Sequence, residues 1–161
     1  MIEDIIIYGA VQGSVYALLA LGYSLVYGVG GVLNLAHGSY YLIAAYIFYI
    51  TWVQFQGVFG FYLGMILGLI VATILGAISY FVIIKPLEEH EISMLMGTFA
   101  IGFFIEQLAI AILDPKFHYL PPIWDQNITV LGVVLQLHWI IIIIVSIIIV
   151  SLVIIFINKS K

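Results

Sequence analysis

The chain has 161 residues, of which 65% are hydrophobic and 7% charged, with a formal net charge of −4. A water-soluble domain carries about 25% charged residues, so this composition cannot cover a surface facing water and reads as an all-α integral membrane protein. Cysteine is absent, which excludes disulfides and thiolate metal sites.

Crossing a bilayer takes about 20 apolar residues. The first such run covers residues 5–27. It follows two acids, Glu3 and Asp4, rather than the basic start of a signal peptide, so it is expected to stay in the membrane. Gly9, Gly13 and Ala17 are spaced four apart on it, which lets another helix approach closely.

Between Gly28 and Gly38 the sequence is Gly-Val-Gly-Gly-Val-Leu-Asn-Leu-Ala-His-Gly. Glycine is a poor helix former, so this stretch predicts a helix break. In hydrocarbon an irregular backbone survives only where protein surrounds it or water lines it. The break is therefore a surface turn or an interruption at membrane depth, the kind of place where transporters hold polar substrates. The next span, to Val53, reaches about 20 residues when counted from Asn34, a good helix cap.

Residues 58–84 form the third predicted span. Gly60, Gly64, Gly68, Ala72 and Gly76 recur every fourth residue, which predicts a ridge packed against protein. Lys85-Pro86 follows, then an acidic stretch, Glu88, Glu89, His90 and Glu91, read either as a hydrated loop or as a cation site. Residues 93–113 make the fourth span and carry Glu106 and Gln107. A loop over 114–138 contains Pro121-Pro122 and a β-branched run that predicts a small hairpin. Residues 139–157 make the fifth span.

The expectation is five membrane-spanning helices in a single domain over residues 1–161, one of them broken, with a small extracytoplasmic hairpin. Basic residues favour the cytoplasm. With five crossings Lys85, Lys159 and Lys161 share one side. That places the C-terminus inside and the N-terminus and the 114–138 loop outside.

Chemistry-bearing residues are sparse. Asn34 and His37 sit three apart at a helix start. Either they present free N–H groups and a positive dipole end to an anionic group, or they belong to a capped turn with no ligand. Glu106 is the one acid deep inside a span. It is either functional or a hydrogen-bonded carboxyl joining helices. Gly28, Gly30, Gly31, Asn34, His37 and Glu106 are the candidate pathway residues. Gly9, Gly13, Gly60, Gly64, Gly68 and Gly76 are the candidate packing residues. No zinc-ligand spacing, phosphate loop or nucleophile–base arrangement is present, so neither a metal site nor a catalytic residue is expected, and the chain is not expected to be an enzyme.

The block GSVYALLALGYSLVYG over residues 13–28, followed by VLNLAHG over residues 32–38, resembles the start of LivH-type permeases of branched-chain amino-acid ABC importers. Lys85-Pro86-Leu87 is similar to that family's basic-Pro-Leu turn, and Thr98-Phe99-Ala100-Ile101-Gly102 with Glu106 to its following helix. The resemblance implies a cell-membrane subunit working with a second permease, cytoplasmic ATP-binding subunits and an extracytoplasmic amino-acid-binding protein. It would carry no cofactor itself, ATP being used by the partner subunits. Such permeases run to nearly twice this length, so the chain resembles an N-terminal half and implies a complementary C-terminal half as a further partner. The alternative is a non-transporting membrane scaffold or a truncated remnant.

Overall fold

The computed structural model describes residues 2–113, 126–130 and 133–159. Five α-helices dominate it: α1 (Ile2–Gly30), α2 (His37–Phe55), α3 (Gly57–Ser79), α4 (Glu91–Leu113) and α5 (Leu137–Lys159). Four stretches are long and apolar enough to cross a membrane: Ile5–Gly30, Gly57–Leu87, Glu91–Leu113 and Leu137–Lys159. The helix α2 is not among them, because Tyr40, Tyr41, Tyr46, Tyr49 and Gln54 dilute its apolar residues. The chain is a multi-pass helical membrane protein.

The chain divides into two compact units, residues 26–120 and residues 1–25 with 121–161. In the first, α2 and α3 form an antiparallel pair joined by a very short turn. Gln56 (φ 24°) and Gly57 (φ 73°) both take the left-handed region there, and Gln56 N–H donates to Trp52 O at 2.9 Å. Glycine spacing explains the closeness of the pair. Gly60, Gly64 and Gly68 are buried. A Cβ on them would stand 3.1 Å from Phe55 C, 3.1 Å from Phe48 O and 3.0 Å from Ala44 O respectively. Gly76 continues the spacing but not the contact: it has nothing within 4 Å of a Cβ position. Phe48, Trp52 and Phe61 close one end of the pair with ring contacts of 5.5–6.3 Å.

The third helix does not stop cleanly at its proline. It passes into a π turn (Tyr80–Ile84) and a 3-10 turn (Lys85–Leu87) that contains Pro86. Ile83 of the π turn packs onto α4 at Gly97, whose hydrogen stands where a Cβ would be 2.7 Å from Ile83 Cγ2.

In the second unit, strands β1 (Asn127–Val130) and β2 (Val133–Gln136) pair antiparallel, with Asn127 opposite Gln136. Leu137 N–H donates to Gln126 O at 3.0 Å, tying the strand pair to the start of α5. Tyr8 of α1 meets Trp139 of α5 edge-on, with centroids 4.8 Å apart. No described residue of α1 is buried, and Gly9 and Gly13 have nothing within 4 Å of a Cβ position. The proline-rich part of the loop expected over 114–138, including Pro121, Pro122 and Trp124, lies outside the described residues.

Candidate functional site: a packed helix break

The break between α1 and α2 is narrower than glycine content alone suggests. Gly28 and Gly30 remain helical. The helix ends at Gly31, which takes φ +65° and donates its N–H to Tyr27 O at 2.8 Å. This is a left-handed glycine cap, in which the residue past the helix end satisfies an otherwise orphaned carbonyl. Residues 31–36 are non-helical, and α2 starts at His37.

Asn34 is not the cap of α2. Ala36 takes that position, without a side-chain capping bond. Instead Asn34 Oδ1 accepts the Ala36 N–H at 3.0 Å, a turn two residues long that asparagine forms readily. Its carbonyl also accepts the His37 N–H at 3.4 Å. The residue is 8% exposed, so its side chain is committed to holding the chain's own backbone.

Three residues of α2 and α4 complete the support. Thr98, fully buried on α4, accepts the Leu35 N–H on its hydroxyl at 3.3 Å and donates to Leu95 O at 3.1 Å. Ser39 Oγ donates to Gly102 O at 2.9 Å. Gly102 has no room for a side chain: a Cβ would meet Ala36 Cα at 3.0 Å and Ser39 Oγ at 3.2 Å. Around these bonds Ala36, Tyr40 and Ile105 form an apolar cluster flanked by Ile43, Ala72, Leu75 and Ile101. Thr98 stands seven residues into α4, so the break packs about 10 Å along that helix from its start. Within the break Asn34 and Ala36 are buried, while Gly31 and Leu35 stay exposed.

At the start of α2 the backbone itself takes up most of the free donors. Of the first four N–H groups of α2, those of His37, Ser39 and Tyr40 already donate to Asn34 O, Ala36 O and Ala36 O. Little of the helix start remains to bind an anion, so Asn34 serves the turn. His37 is half-buried in the first turn of α2. Beside the break a cleft of about 90 Å³ is lined by Tyr27, Gly31, Leu33, Glu91, Met94 and Leu95. Pockets that enclose small-molecule ligands are typically about 300–1,000 Å³, so this cleft alone does not enclose an amino acid.

Glu106 stands apart from the break. It lies on an exposed face of α4, and among the described residues it makes no hydrogen bond or ion pair. Among the described residues no three His, Asp or Glu side chains gather around a metal-sized space. Thr98, Ser39 and Gly102 were not candidates from sequence. The signal that points to them is a hydroxyl and a glycine spaced four apart on one face of a membrane helix, a pattern that favours close helix contact.

The geometry so far defines a multi-pass membrane protein with a helix break braced against α4. Residues 5–161 match the profile of the branched-chain amino acid transport system permease component, and the chain belongs to that family. It is similar to the high-affinity branched-chain amino acid transport permease BraD of Pseudomonas aeruginosa, at 28% identity over 97% of this chain and 55% of BraD. It is also 51% identical over 39 residues to the LivH permeases of Escherichia coli K12 and Salmonella typhimurium, covering 24% of this chain and 13% of each relative. The chain thus spans about half the length of BraD. No solved structure matches it.

Proposed function

We propose that the chain is a membrane-spanning permease subunit, or half-subunit, of an ATP-driven importer of branched-chain amino acids. The family match across residues 5–161 carries this reading. The braced break supports it, since transporters hold substrates beside interrupted helices. ATP is used by partner subunits, and the chain itself is neither an enzyme nor a cofactor carrier. Its partners are a second permease, cytoplasmic ATP-binding subunits and an extracytoplasmic amino-acid-binding protein.

We read α2 as a fifth crossing. It lies antiparallel against α3 from the Phe55–Gly60 contact to the Ala44–Gly68 contact, and its 19 residues extend about 28 Å, close to the hydrocarbon thickness. A helix paired that closely with a spanning helix shares its depth, and Tyr40 of α2 is buried in the packing. Five crossings put Lys85 and Lys159 on the cytoplasmic side of the cell membrane, and the N-terminus and the β1–β2 hairpin outside.

The test is uptake of radiolabelled leucine by proteoliposomes containing the chain, its partner permease, the ATP-binding subunits and the binding protein. ATP-dependent uptake that disappears when this chain is left out is the expected result. Uptake unchanged without the chain overturns the proposal and leaves a non-transporting scaffold.

A further inference from the structure

The helix α2 is held unequally by its two neighbours. Against α3 it is clasped by three buried glycines in a row, Gly60, Gly64 and Gly68, whose Cβ positions stand 3.0–3.1 Å from Phe55, Phe48 and Ala44. Against α4, among the described residues, one glycine comes as close: Gly102, 3.0 Å from Ala36 Cα. Two hydrogen bonds join it there, Leu35 N–H to Thr98 Oγ1 and Ser39 Oγ to Gly102 O. The link from α3 to α4 leaves α-helical geometry in a π turn (Tyr80–Ile84) and a 3-10 turn (Lys85–Leu87). Such turns interrupt the regular hydrogen-bond ladder and often mark hinges. The clasped pair can therefore move as one piece relative to α4.

Tyr40 sits in the weaker seam. It is 6% exposed and clusters with Ala36 and Ile105, with Ile101 and Leu75 packed alongside. Ile101 and Ile105 stand about 15 and 21 Å along α4 from Glu91, near the middle of the span. The Tyr40 hydroxyl is buried at this seam, and no described residue bonds to it. A hydroxyl among aliphatic side chains carries the cost of its lost hydration when nothing replaces the water. That cost falls on the closed seam. Parting α2 from α4 brings the hydroxyl within reach of water or another polar group and removes it.

We propose that the α2–α4 seam is built to part, with α2 and α3 moving together, and that the buried Tyr40 hydroxyl biases the seam toward the parted state. This motion belongs to the chain's own helices, whatever solute the assembly carries, so it is tested without transport.

The chain has no cysteine, so single thiols can report on each side of α2. Thr98→Cys, at a fully buried position, places one in the α4 seam. Thr51→Cys, also buried, places one on the stripe of Ala44, Phe48 and Phe55 that meets α3. The rate of modification by a water-soluble methanethiosulfonate is measured on the full chain in lipid nanodiscs. The thiol at 98 is expected to react, and adding Tyr40→Phe, which keeps the ring, slows it about tenfold. Tyr41→Phe, at a position 50% exposed, leaves the rate unchanged. The thiol at 51 reacts far more slowly, with or without Tyr40→Phe. No reaction at 98, a rate that Tyr40→Phe leaves unchanged or raises, or a thiol at 51 that reacts as fast as the one at 98 overturns the proposal. A second measurement leaves Thr98 and Thr51 in place. Tyr40→Phe alone should unfold later than the unsubstituted chain in detergent titration, and unfolding at the same point or earlier shows a satisfied hydroxyl and overturns the proposal as well.

Discussion

Gly102 and Asn34 show how much of the break depends on single groups. Adding one methyl at Gly102 drives a Cβ to 3.0 Å from Ala36 Cα, a backbone atom that cannot swing aside. Overpacking of this kind costs about 1–3 kcal/mol, so Gly102→Ala should unfold measurably earlier in detergent titrations. Gly76→Ala, with open space around it, should be neutral or slightly stabilising in the same assay. Asn34→Ala removes the acceptor for the buried Ala36 N–H and should cost about 1–3 kcal/mol, because the donor is left without a partner. Asn34→Asp keeps the oxygen and should retain more stability than the alanine variant; equal losses would show that the turn does not depend on that acceptor. A backbone-holding role for Asn34 was one of two readings that the sequence left open; the pairing that completes the brace was not legible. That depends on Leu35 reaching Thr98, sixty-three positions away, and no local pattern reveals such a pairing.

At the scale of elements, periodicity was a good guide where both partners lie close in sequence. The glycines at 60, 64 and 68 announced a tight helix pair, and α2 fills it. The same spacing at Gly9 and Gly13 has no packing partner among the described residues. Glycine content alone overstated the break. Gly28 and Gly30 continue the helix because a helix already formed extends cheaply, whereas Gly31 ends it by adopting a positive φ. The two neighbours should therefore respond oppositely. Gly31→Ala should cost about 1–2 kcal/mol, the penalty of a left-handed conformation for a residue with a Cβ. Gly30→Ala, helical and uncrowded, should be harmless or gain a few tenths of a kcal/mol. Thermal unfolding of the two variants in one detergent separates these outcomes, and equal losses would refute the cap at Gly31.

Across the whole molecule, hydropathy made membrane residence and four of the apolar stretches evident from composition alone. The sequence also offered α2 as a span counted from Asn34, but polar residues dilute it below the apolar level of the other four. The proposed five crossings are checked by labelling. The chain has no cysteine, so Lys85→Cys, Gln56→Cys and Lys159→Cys each carry a single thiol. In spheroplasts a membrane-impermeant maleimide should reach the thiol at 56 at once and those at 85 and 159 only after lysis. Equal access to 56 and 85 in intact cells would mean that α3 does not cross.

The bond from Leu35 to Thr98 has one more use. It ties the amide of a non-helical residue to a hydroxyl on another helix, so that proton is shielded only while the two stay in register. Deuterium exchange at Leu35 is consequently a label-free gauge of separation between α2 and α4. During a working cycle it should quicken in whichever state draws those helices apart, while the amides along the tightly clasped α2–α3 pair stay slow.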